Sequence, residues 1–497
     1  MRRRTLLKAG AGLVATAGGV AAGGLALLYA TADVQTAGRI PFTNRLALPP
    51  LARSGRDDHG RTVFNLHARP ARHGFRSGVQ TPTWSFDGSY LGPTLRARRG
   101  ETVVVHVHNE LPEATTVHWH GMHLPAAMDG GPHQPVPPGS TWSPSWRIDQ
   151  PAATLWYHPH PHQQTARHVY RGLAGLFLVD EDLCGPSGLP CRYGVDDVPL
   201  IVQDLKLAGD NRLDENNPGK VHGTVCVNGT LAPYLPVSTE RIRLRLLNAS
   251  GARIYRFGLT DRRPFDLIGT DGGLLAAPFP ASSVQLSPGE RAEVVVTMRP
   301  GERVVLRSDP PELGGNFFSD RFAGGDDTLD VLELRAAATL EPSAPLPREL
   351  APPARVDTLV VAATRRFELA LPRINGQSMD MSRIDAVARL GSTEIWEVVN
   401  IDGQPHNFHI HDVQFQVLTV DGAPPPPELS GWKDTIYTPP KRVFRLALRF
   451  TDYADPQTPY MFHCHLLRHE DRGMMGQFLV LDNGQRPGTP SGHRHHN

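Results

Sequence analysis

The chain has 497 residues, of which 40% are hydrophobic and 20% are charged, and its formal net charge is +1. This length exceeds what one hydrophobic core supports, so roughly two to four domains are expected, and the balanced charge gives no sign of a nucleic-acid partner. The 46 prolines and 48 glycines favour many turns between short strands, and so predict an all-β protein.

Residues 1–32 are typical of a twin-arginine (Tat) export signal. Arginines at positions 2 to 4 precede an apolar run over residues 9–30, and Ala30 and Ala32 offer a small-residue cleavage site. An uncleaved membrane anchor is the alternative. Either way we expect the Tat machinery to export the chain to the periplasm or the extracellular space, with membrane tethering if the signal is retained.

Three units of strand-like runs follow the signal. Apolar residues alternate with period two and long helical patterns are scarce, which is typical of β-sandwich domains of ordinary size. The predicted bounds are 39–182, 197–337 and 356–484, and a polar, disordered tail over 485–497 completes the chain. Cys184 and Cys191 flank a Gly/Pro loop and could pair in an oxidising compartment, leaving Cys226 as a small buried hydrophobe.

Four histidine clusters lie in the first and third units. Side chains at i and i+2 of a strand point to the same face, so each His-x-His pair can reach one metal site. His106 and His108 lie in a Val-rich run without other ligand types, and are interpreted as structural. The four clusters are His118-Trp-His120, His158-Pro-His160, His406-Asn-Phe-His409-Ile-His411, and His463-Cys464-His465 with His469 and Met474 after it.

The ligand types in these clusters favour copper. Paired imidazoles without a carboxylate suit copper or zinc, and the added thiolate and thioether favour copper. A structural zinc site uses four ligands with cysteine dominant, and cannot account for ten histidines, a cysteine and a methionine. If the segment 463–465 is extended, the cysteine binds a metal on one face and the two histidines bind others on the opposite face. His406, His469 and Met474 can complete the cysteine site, which gives the ligand set of a blue copper centre.

Together these motifs resemble the multicopper oxidase family, which includes laccases, bilirubin oxidases and bacterial cuprous oxidases. The resemblance covers residues 40–484 and implies three cupredoxin-like Greek-key β-sandwich domains with four coppers per chain. It also implies a type 1 copper at His406, Cys464, His469 and Met474, a type 2 copper at His118 and His409, and a type 3 pair at His120, His158, His160, His411, His463 and His465.

The resemblance further implies that a small reducing substrate loses single electrons at the type 1 copper, while O2 is reduced to water at the other three. That reduction needs protons, and Asp129 and Glu470 occupy positions that supply them in similar enzymes. The alternatives are a surface turn for Asp129 and a hydrogen bond to a ligand for Glu470. Asp402, four residues before His406, could face the substrate or simply form a turn.

We expect phenols or aromatic amines as electron donors in preference to Cu(I). A Cu(I)-selective site should carry soft thioethers, and the approach to His406, residues 400–405, has no methionine. Met379 and Met381 are the one local hint of such a site, with packing in the domain core as the favoured interpretation.

Two other functions stay open: a cuprous oxidase in copper tolerance, and a metal-free relative of the fold with a structural role. A copper nitrite reductase would have only two domains per chain, and a copper-storage protein would favour methionine-rich tracts. The sequence does not determine the oligomeric state, and a monomer is favoured.

Overall fold

The computed structural model describes residues 33–180, 188–216, 218–353 and 355–490. The predicted export signal and the far end of the tail, residues 491–497, lie outside these ranges. Within them, no helix is both long and apolar enough to cross a membrane. Cys184 also lies outside the described residues, so its pairing with Cys191 stays a prediction, whereas Cys226 is fully buried.

The prediction of an all-β chain of three sandwiches is confirmed. The first sandwich packs the sheet β2-β3-β6-β8, with β4 and β9 beside it, against the sheet β5-β11-β10-β7, and β1 pairs with the second sandwich. The first eleven strands are β1 (Asn44–Arg45), β2 (Gly55–Arg56), β3 (Thr62–Arg76), β4 (Val79–Phe86), β5 (Leu95–Arg98), β6 (Thr102–Asn109), β7 (His118–His120), β8 (Thr141–Trp142), β9 (Ser145–Arg147), β10 (Ala153–His158) and β11 (Gly175–Asp180).

The second sandwich pairs the sheet β14-β13-β12-β16-β21-β18-β19 with the sheet β1-β15-β23-β22-β17-β20. Its core takes aliphatic side chains from both sheets. The strands are β12 (Asp197–Leu205), β13 (Thr224–Val227), β14 (Thr230–Leu231), β15 (Pro233–Thr239), β16 (Arg241–Asn248), β17 (Tyr255–Leu259), β18 (Phe265–Thr270), β19 (Gly273–Ala281), β20 (Ser283–Leu286), β21 (Arg291–Thr297), β22 (Arg303–Asp309) and β23 (Leu329–Glu341).

The third sandwich has the sheet orders β25-β24-β27-β31-β29 and β26-β33-β32-β28-β30. The second of these sheets carries the C-terminal histidine clusters. The strands are β24 (Ala363–Ala370), β25 (Arg373–Ile374), β26 (Ala386–Arg389), β27 (Thr393–Asn400), β28 (His406–Ile410), β29 (Phe415–Val420), β30 (Thr435–Thr438), β31 (Val443–Arg449), β32 (Tyr460–His463) and β33 (Met475–Leu481).

The described residues include the short helices α1 (Thr165–Tyr170), α2 (Phe317–Phe322) and α3 (Leu467–Asp471), with 3-10 turns at Ala126–Met128 and Pro427–Leu429. Helices α1 and α3 join the first and third sandwiches. Ala166 and Val169 of α1 pack on Leu467 of α3. The carboxylate of Asp471 accepts the backbone N–H groups of Thr165 at 2.8 Å and Ala166 at 3.1 Å. These contacts hold the histidine-bearing ends of the two sandwiches together.

Strand alternation separates the structural histidines from the others. In β6, Val103, Val105 and Val107 point into the core of the first sandwich. The alternate side chains, His106 and His108, are only half-buried on the outer face. His106 hydrogen-bonds to the hydroxyl of Ser143, between β8 and β9, and His108 to that of Thr141 in β8. A period of two therefore turns this pair away from the remaining clusters.

Candidate metal centre

The paired histidines lie on adjacent strands that face each other across the junction of the first and third sandwiches. On the first side, His118 of β7 is the cross-strand partner of His158 in β10. On the other side, His409 of β28 is the partner of His463 in β32. The ring of His118 stacks on that of His411 with centroids 3.8 Å apart. Two sheets from different sandwiches therefore contribute imidazoles to one buried space.

One group of ring nitrogens meets between β28, β32 and the end of β10. Nε2 of His463 lies 3.1 Å from Nε2 of His160 and 3.2 Å from Nε2 of His411. All three side chains are buried. These three nitrogens are close enough together to bind one metal ion.

A second group and a facing pair complete the cluster. Nε2 of His158 lies 3.4 Å from Nδ1 of His120 and 3.4 Å from Nε2 of His465. The remaining two histidines, His118 and His409, have buried Nε2 atoms without a hydrogen-bond partner among the described residues. Buried polar atoms normally have a hydrogen-bond partner. The two Nε2 atoms are therefore suited to bind a metal ion.

The outer nitrogens of these rings show that the inner ones carry lone pairs. Nδ1 of His118 donates to the carbonyl of Asp129 at 3.0 Å, and Nδ1 of His411 donates to the Asp129 carboxylate at 2.7 Å. Nδ1 of His158 faces the carbonyl of Pro159 at 2.9 Å. Carbonyl and carboxylate oxygens only accept, so the proton sits on the outer nitrogen. The lone pairs of the inner nitrogens then face and repel one another, and a metal cation bound between them would remove this repulsion.

Burial keeps these imidazoles neutral. It is the largest cause of pKa values below the usual value for histidine, and the charges of neighbouring imidazoles act in the same direction. The neutral ring is the form that binds metals. The histidines with lowered pKa are His120, His158, His160, His409, His411, His463 and His465.

A separate thiolate group lies on the other side of the segment 463–465. Sγ of Cys464 is 3.7 Å from Nδ1 of His406 and 3.6 Å from Nδ1 of His469. Met474 is fully buried, and its carbonyl accepts the N–H of Cys464. Burial alone would raise the pKa of the Cys464 thiol, but the hydrogen bonds with the two histidines outweigh it and bring the pKa to about 6. The cysteine is therefore a ready thiolate ligand.

Proteins of known family are similar to this chain in sequence and in fold. Sequence profiles of the multicopper oxidase family match residues 68–183 and 350–484. A multicopper oxidase mco from Staphylococcus haemolyticus is 34% identical, covering 88% of this chain and 93% of its own. The chain belongs to the multicopper oxidase family.

Two further relatives differ in their described roles. A cell division protein FtsP from Dickeya dadantii is 37% identical over 89% of this chain and 95% of its own length. The solved structure of a laccase-like multicopper oxidase CueO from Ochrobactrum sp., described as active towards lignin model compounds and lignosulfonate, is 35% identical. It superposes with a TM-score of 0.79 over 88% of this chain and all of that one.

In this multicopper oxidase the predicted acids lie against the predicted ligands. Asp129 is buried and contacts His118 and His411, as described above. Glu470 is also buried, and its carboxyl oxygens lie 3.6 Å from Nδ1 of His160 and 3.3 Å from Nδ1 of His463. Burial, followed by the charge of Asp471, raises the pKa of Glu470 well above its usual value.

The exposed edge of the thiolate group belongs to His469. His406 is fully buried, and its Nε2 donates to the Asp402 carboxylate at 3.1 Å. Asp402 also accepts the backbone N–H groups of Leu371 and Gln404, so its carboxylate forms a turn and holds His406 at the same time. His469 is only half-buried. Solvent therefore reaches the group at His469 and not at His406, where the sequence predicted the approach of the donor.

Two of the five methionines in the third unit, Met379 and Met381, differ from expectation. Met379 and Met381 are half-buried and do not belong to the domain core, because their loop runs at the edge of the sandwich beside exposed residues. The N–H of Met379 donates to the carbonyl of Gly473 at 2.8 Å. Gly473 directly precedes Met474, so a thioether-bearing residue lies near the thiolate group.

Sequence reasoning missed one acid that contacts two of the histidines. Asp434 accepts from Nε2 of His120 at 3.0 Å with its carboxylate, and from Nδ1 of His409 at 2.9 Å with its carbonyl. Its only local signal is the charged pair Lys433-Asp434 directly before the buried strand β30. Such a pair is more often solvated than buried, and here both residues are buried.

Proposed function

We propose that the chain is a copper-loaded, laccase-like oxidase that removes single electrons from phenolic or aromatic amine donors and passes them to O2, forming water. The convergence of eight buried imidazoles beside a buried thiolate carries this proposal. The thiolate belongs to Cys464, whose two chain neighbours, His463 and His465, belong to the imidazole cluster. A covalent path of a few bonds therefore joins the two groups.

The two groups would hold four copper ions, in the assignment that the family resemblance implies. Copper bound there would supply one-electron acceptance at the thiolate group and multi-electron reduction of O2 at the imidazole cluster. His406, Cys464, His469 and Met474 form the first group. The cluster divides as the nitrogen contacts suggest, into His118 with His409, His120 with His158 and His465, and His160 with His411 and His463.

Two carboxyl groups would move protons at the imidazole cluster. Glu470 is a buried acid whose pKa is raised by burial, which favours its protonated form and suits a proton donor. Asp129 touches two ligand rings, so it both orients them and lies within proton-transfer distance of the cluster. Asp402 is held by three hydrogen bonds at the thiolate group, and its proposed part is to orient His406 towards that group while lining the approach of the donor.

Electron donors would approach the half-buried ring of His469. An aromatic donor needs only to reach this edge, because outer-sphere transfer does not require a bond to the metal. The activity of the Ochrobactrum relative towards lignin model compounds supports an aromatic donor. Met379 near Met474 favours the second candidate, a cuprous oxidase, because thioethers bind Cu(I).

Steady-state O2 uptake separates these two candidates. We expect the purified, copper-loaded chain to have a higher kcat/KM for a methoxyphenol such as syringol than for Cu(I), without added Cu(II). The reason is that residues 400–405, which precede His406, contain no methionine, and that an aromatic donor can reach the half-buried ring of His469. Rapid oxidation of Cu(I), with phenol turnover only when extra copper is present, would favour the cuprous oxidase instead.

The similarity to FtsP cell division proteins leaves a third candidate function open, that of a metal-free structural protein. All twelve ligand positions of this chain are occupied by residues that bind copper, which supports the oxidase. Copper analysis of the purified protein distinguishes the two, since a structural protein stays colourless after incubation with Cu(II).

We also propose Tat export of the folded protein. The support is the sequence of residues 1–32 alone. Lysine in place of the arginines at positions 2 to 4 should keep the chain in the cytoplasm, as measured by cell fractionation, whereas the unaltered chain should be recovered outside it. Equal export of both would point to another route.

A further inference from the structure

The second sandwich contributes none of the predicted copper ligands, yet one of its arginines is buried at the junction of all three sandwiches. Arg291 begins β21 and is fully buried. Its guanidinium has five N–H donors, and each has an acceptor. The acceptors are the carbonyls of Thr154 at 2.9 Å, Gly289 at 3.0 Å and Asp271 at 2.8 Å, and the Asp434 carboxylate oxygens at 2.7 and 2.6 Å.

These acceptors come from different parts of the molecule. Thr154 lies on β10 of the first sandwich, Asp271 and Gly289 lie in loops of the second, and Asp434 lies just before β30 of the third. The contact with Asp434 is bidentate, with both carboxylate oxygens bound. A planar guanidinium fits a carboxylate in this way, whereas a lysine ammonium does not. Arg291 therefore fixes the position and the plane of the Asp434 carboxylate.

Asp434 in turn orients two predicted copper ligands in opposite senses. Its carboxylate accepts from Nε2 of His120, and its carbonyl accepts from Nδ1 of His409. His120 must therefore present Nδ1 to the cluster, and that atom lies 3.4 Å from Nε2 of His158. His409 presents Nε2. The two rings are stacked, with centroids 3.8 Å apart and planes at 8°.

Two glycines leave the space that this contact needs. Gly121 follows His120 directly, with φ at +82°, and a Cβ there would lie 2.5 Å from the Asp434 carboxylate and 2.6 Å from the Arg291 guanidinium. Gly289 leaves similar room for His120 and His465. Lys433 lies in the same layer and binds the carboxylates of Asp271 at 2.9 Å and Glu290 at 3.0 Å. The Asp271 carboxylate also accepts the backbone N–H of Arg291 at 2.7 Å.

We propose that Arg291 is a positioning residue for the trinuclear copper site, acting through Asp434 to set which nitrogen of His120 faces the metal. The second sandwich thus determines the geometry of a site whose ligands all come from the other two. This inference rests on the proposed copper-oxidase function. A carboxylate bound to the far nitrogen of a metal-binding histidine fixes its tautomer and ring orientation, and here the carboxylate is itself fixed by a guanidinium.

The test compares three full-length variants for copper content and spectra. Arg291→Lys removes the bidentate contact. Asp434→Asn keeps the shape of the side chain but places an amide N–H against the guanidinium. One of the two hydrogen bonds between residues 291 and 434 is then lost. Arg253→Lys is the matched control, since Arg253 is 1% exposed and pairs with Asp204 and Asp327, with no contact to a predicted ligand.

We expect Arg291→Lys and Asp434→Asn to keep the blue band of the type 1 copper. Copper affinity at the histidine cluster should fall about 10- to 100-fold, the usual effect of losing a partner of a metal ligand. The type 2 EPR signal and the near-ultraviolet absorption of the type 3 pair should change with it. Arg253→Lys should lower the melting temperature and leave all copper signals at wild-type values.

Two results would overturn the inference. One is wild-type copper content and spectra in Asp434→Asn, which decides the matter even if Arg291→Lys does not fold. The other is equal loss of copper from both centres in all three variants, which is the mark of a general loss of stability. A wild-type chain that takes up no copper would overturn the proposed function as well, so the two failures are distinguishable.

Discussion

Cys464→Ser is expected to abolish the blue colour of the copper-loaded protein and to lower O2 uptake with a phenol by more than about 100-fold. Loss of a hydrogen-bond partner of a metal ligand already costs up to about 100-fold, and here a ligand itself is lost. The colour depends on charge transfer from a thiolate, which serine cannot supply. Sγ of Cys464 is buried between His406 and His469, and its pKa of about 6 makes the thiolate its main form at neutral pH. Absorption spectroscopy and an oxygen electrode measure the two effects.

Cys226→Ser is the matched control for this substitution. Cys226 is as fully buried as Cys464, but it lies in a hydrophobic cluster of the first and second sandwiches. Burial raises the pKa of its thiol, so it stays protonated and is a poor ligand. This variant should remain blue and active. A blue Cys464→Ser protein would contradict the assignment of the thiolate group.

The ligand clusters could be predicted from the sequence because their geometry is local. In a strand, residues i and i+2 share a face, so His118 and His120 point the same way whatever the rest of the chain does. The same rule turns Cys464 away from its two neighbours. The order of strands and the presence of turns likewise follow from apolar alternation and from glycine and proline content.

The partners of the ligands could not be predicted in this way because they are distant in the chain. Arg291 and Asp434 are 143 residues apart, and His120 and Asp434 are 314 residues apart. Only the packing of three sandwiches brings them together. Nothing near Asp434 in the sequence distinguishes it from an acid on a solvated turn.

The exposure of the two histidines beside Cys464 could not be predicted from the sequence either. His406 and His469 have the same part in the motif, and the sequence does not distinguish a buried ring from an open one. The structure buries His406 in β28 and caps its Nε2 with Asp402, whereas His469 lies on the short helix α3 at the surface. The approach of a donor is thus a property of the surrounding loops.

Glu470 offers the clearest separation of proton supply from ligand orientation. Both of its carboxyl oxygens are buried. They lie 3.3 Å from Nδ1 of His463 and 3.6 Å from Nδ1 of His160. Asp129, in contrast, accepts a 2.7 Å hydrogen bond from His411, so replacing it would disturb a ligand as well as a proton donor.

Glu470→Gln is therefore expected to slow reoxidation of the reduced protein by O2 about 10²- to 10⁴-fold, the usual contribution of a general acid. Bleaching of the blue band by a phenol without O2 should proceed at the wild-type rate, because the amide fills the same space. Stopped-flow absorption measures both steps.

Since burial raises the pKa of Glu470, wild-type reoxidation should slow as the pH rises through that pKa, and the variant should lack this dependence. Asp327→Asn is the control: Asp327 is also a buried acid, but it pairs with Arg253 at 2.6 Å and not with a predicted copper ligand, so both steps should be unchanged. Wild-type reoxidation in Glu470→Gln would show that the protons come by another path.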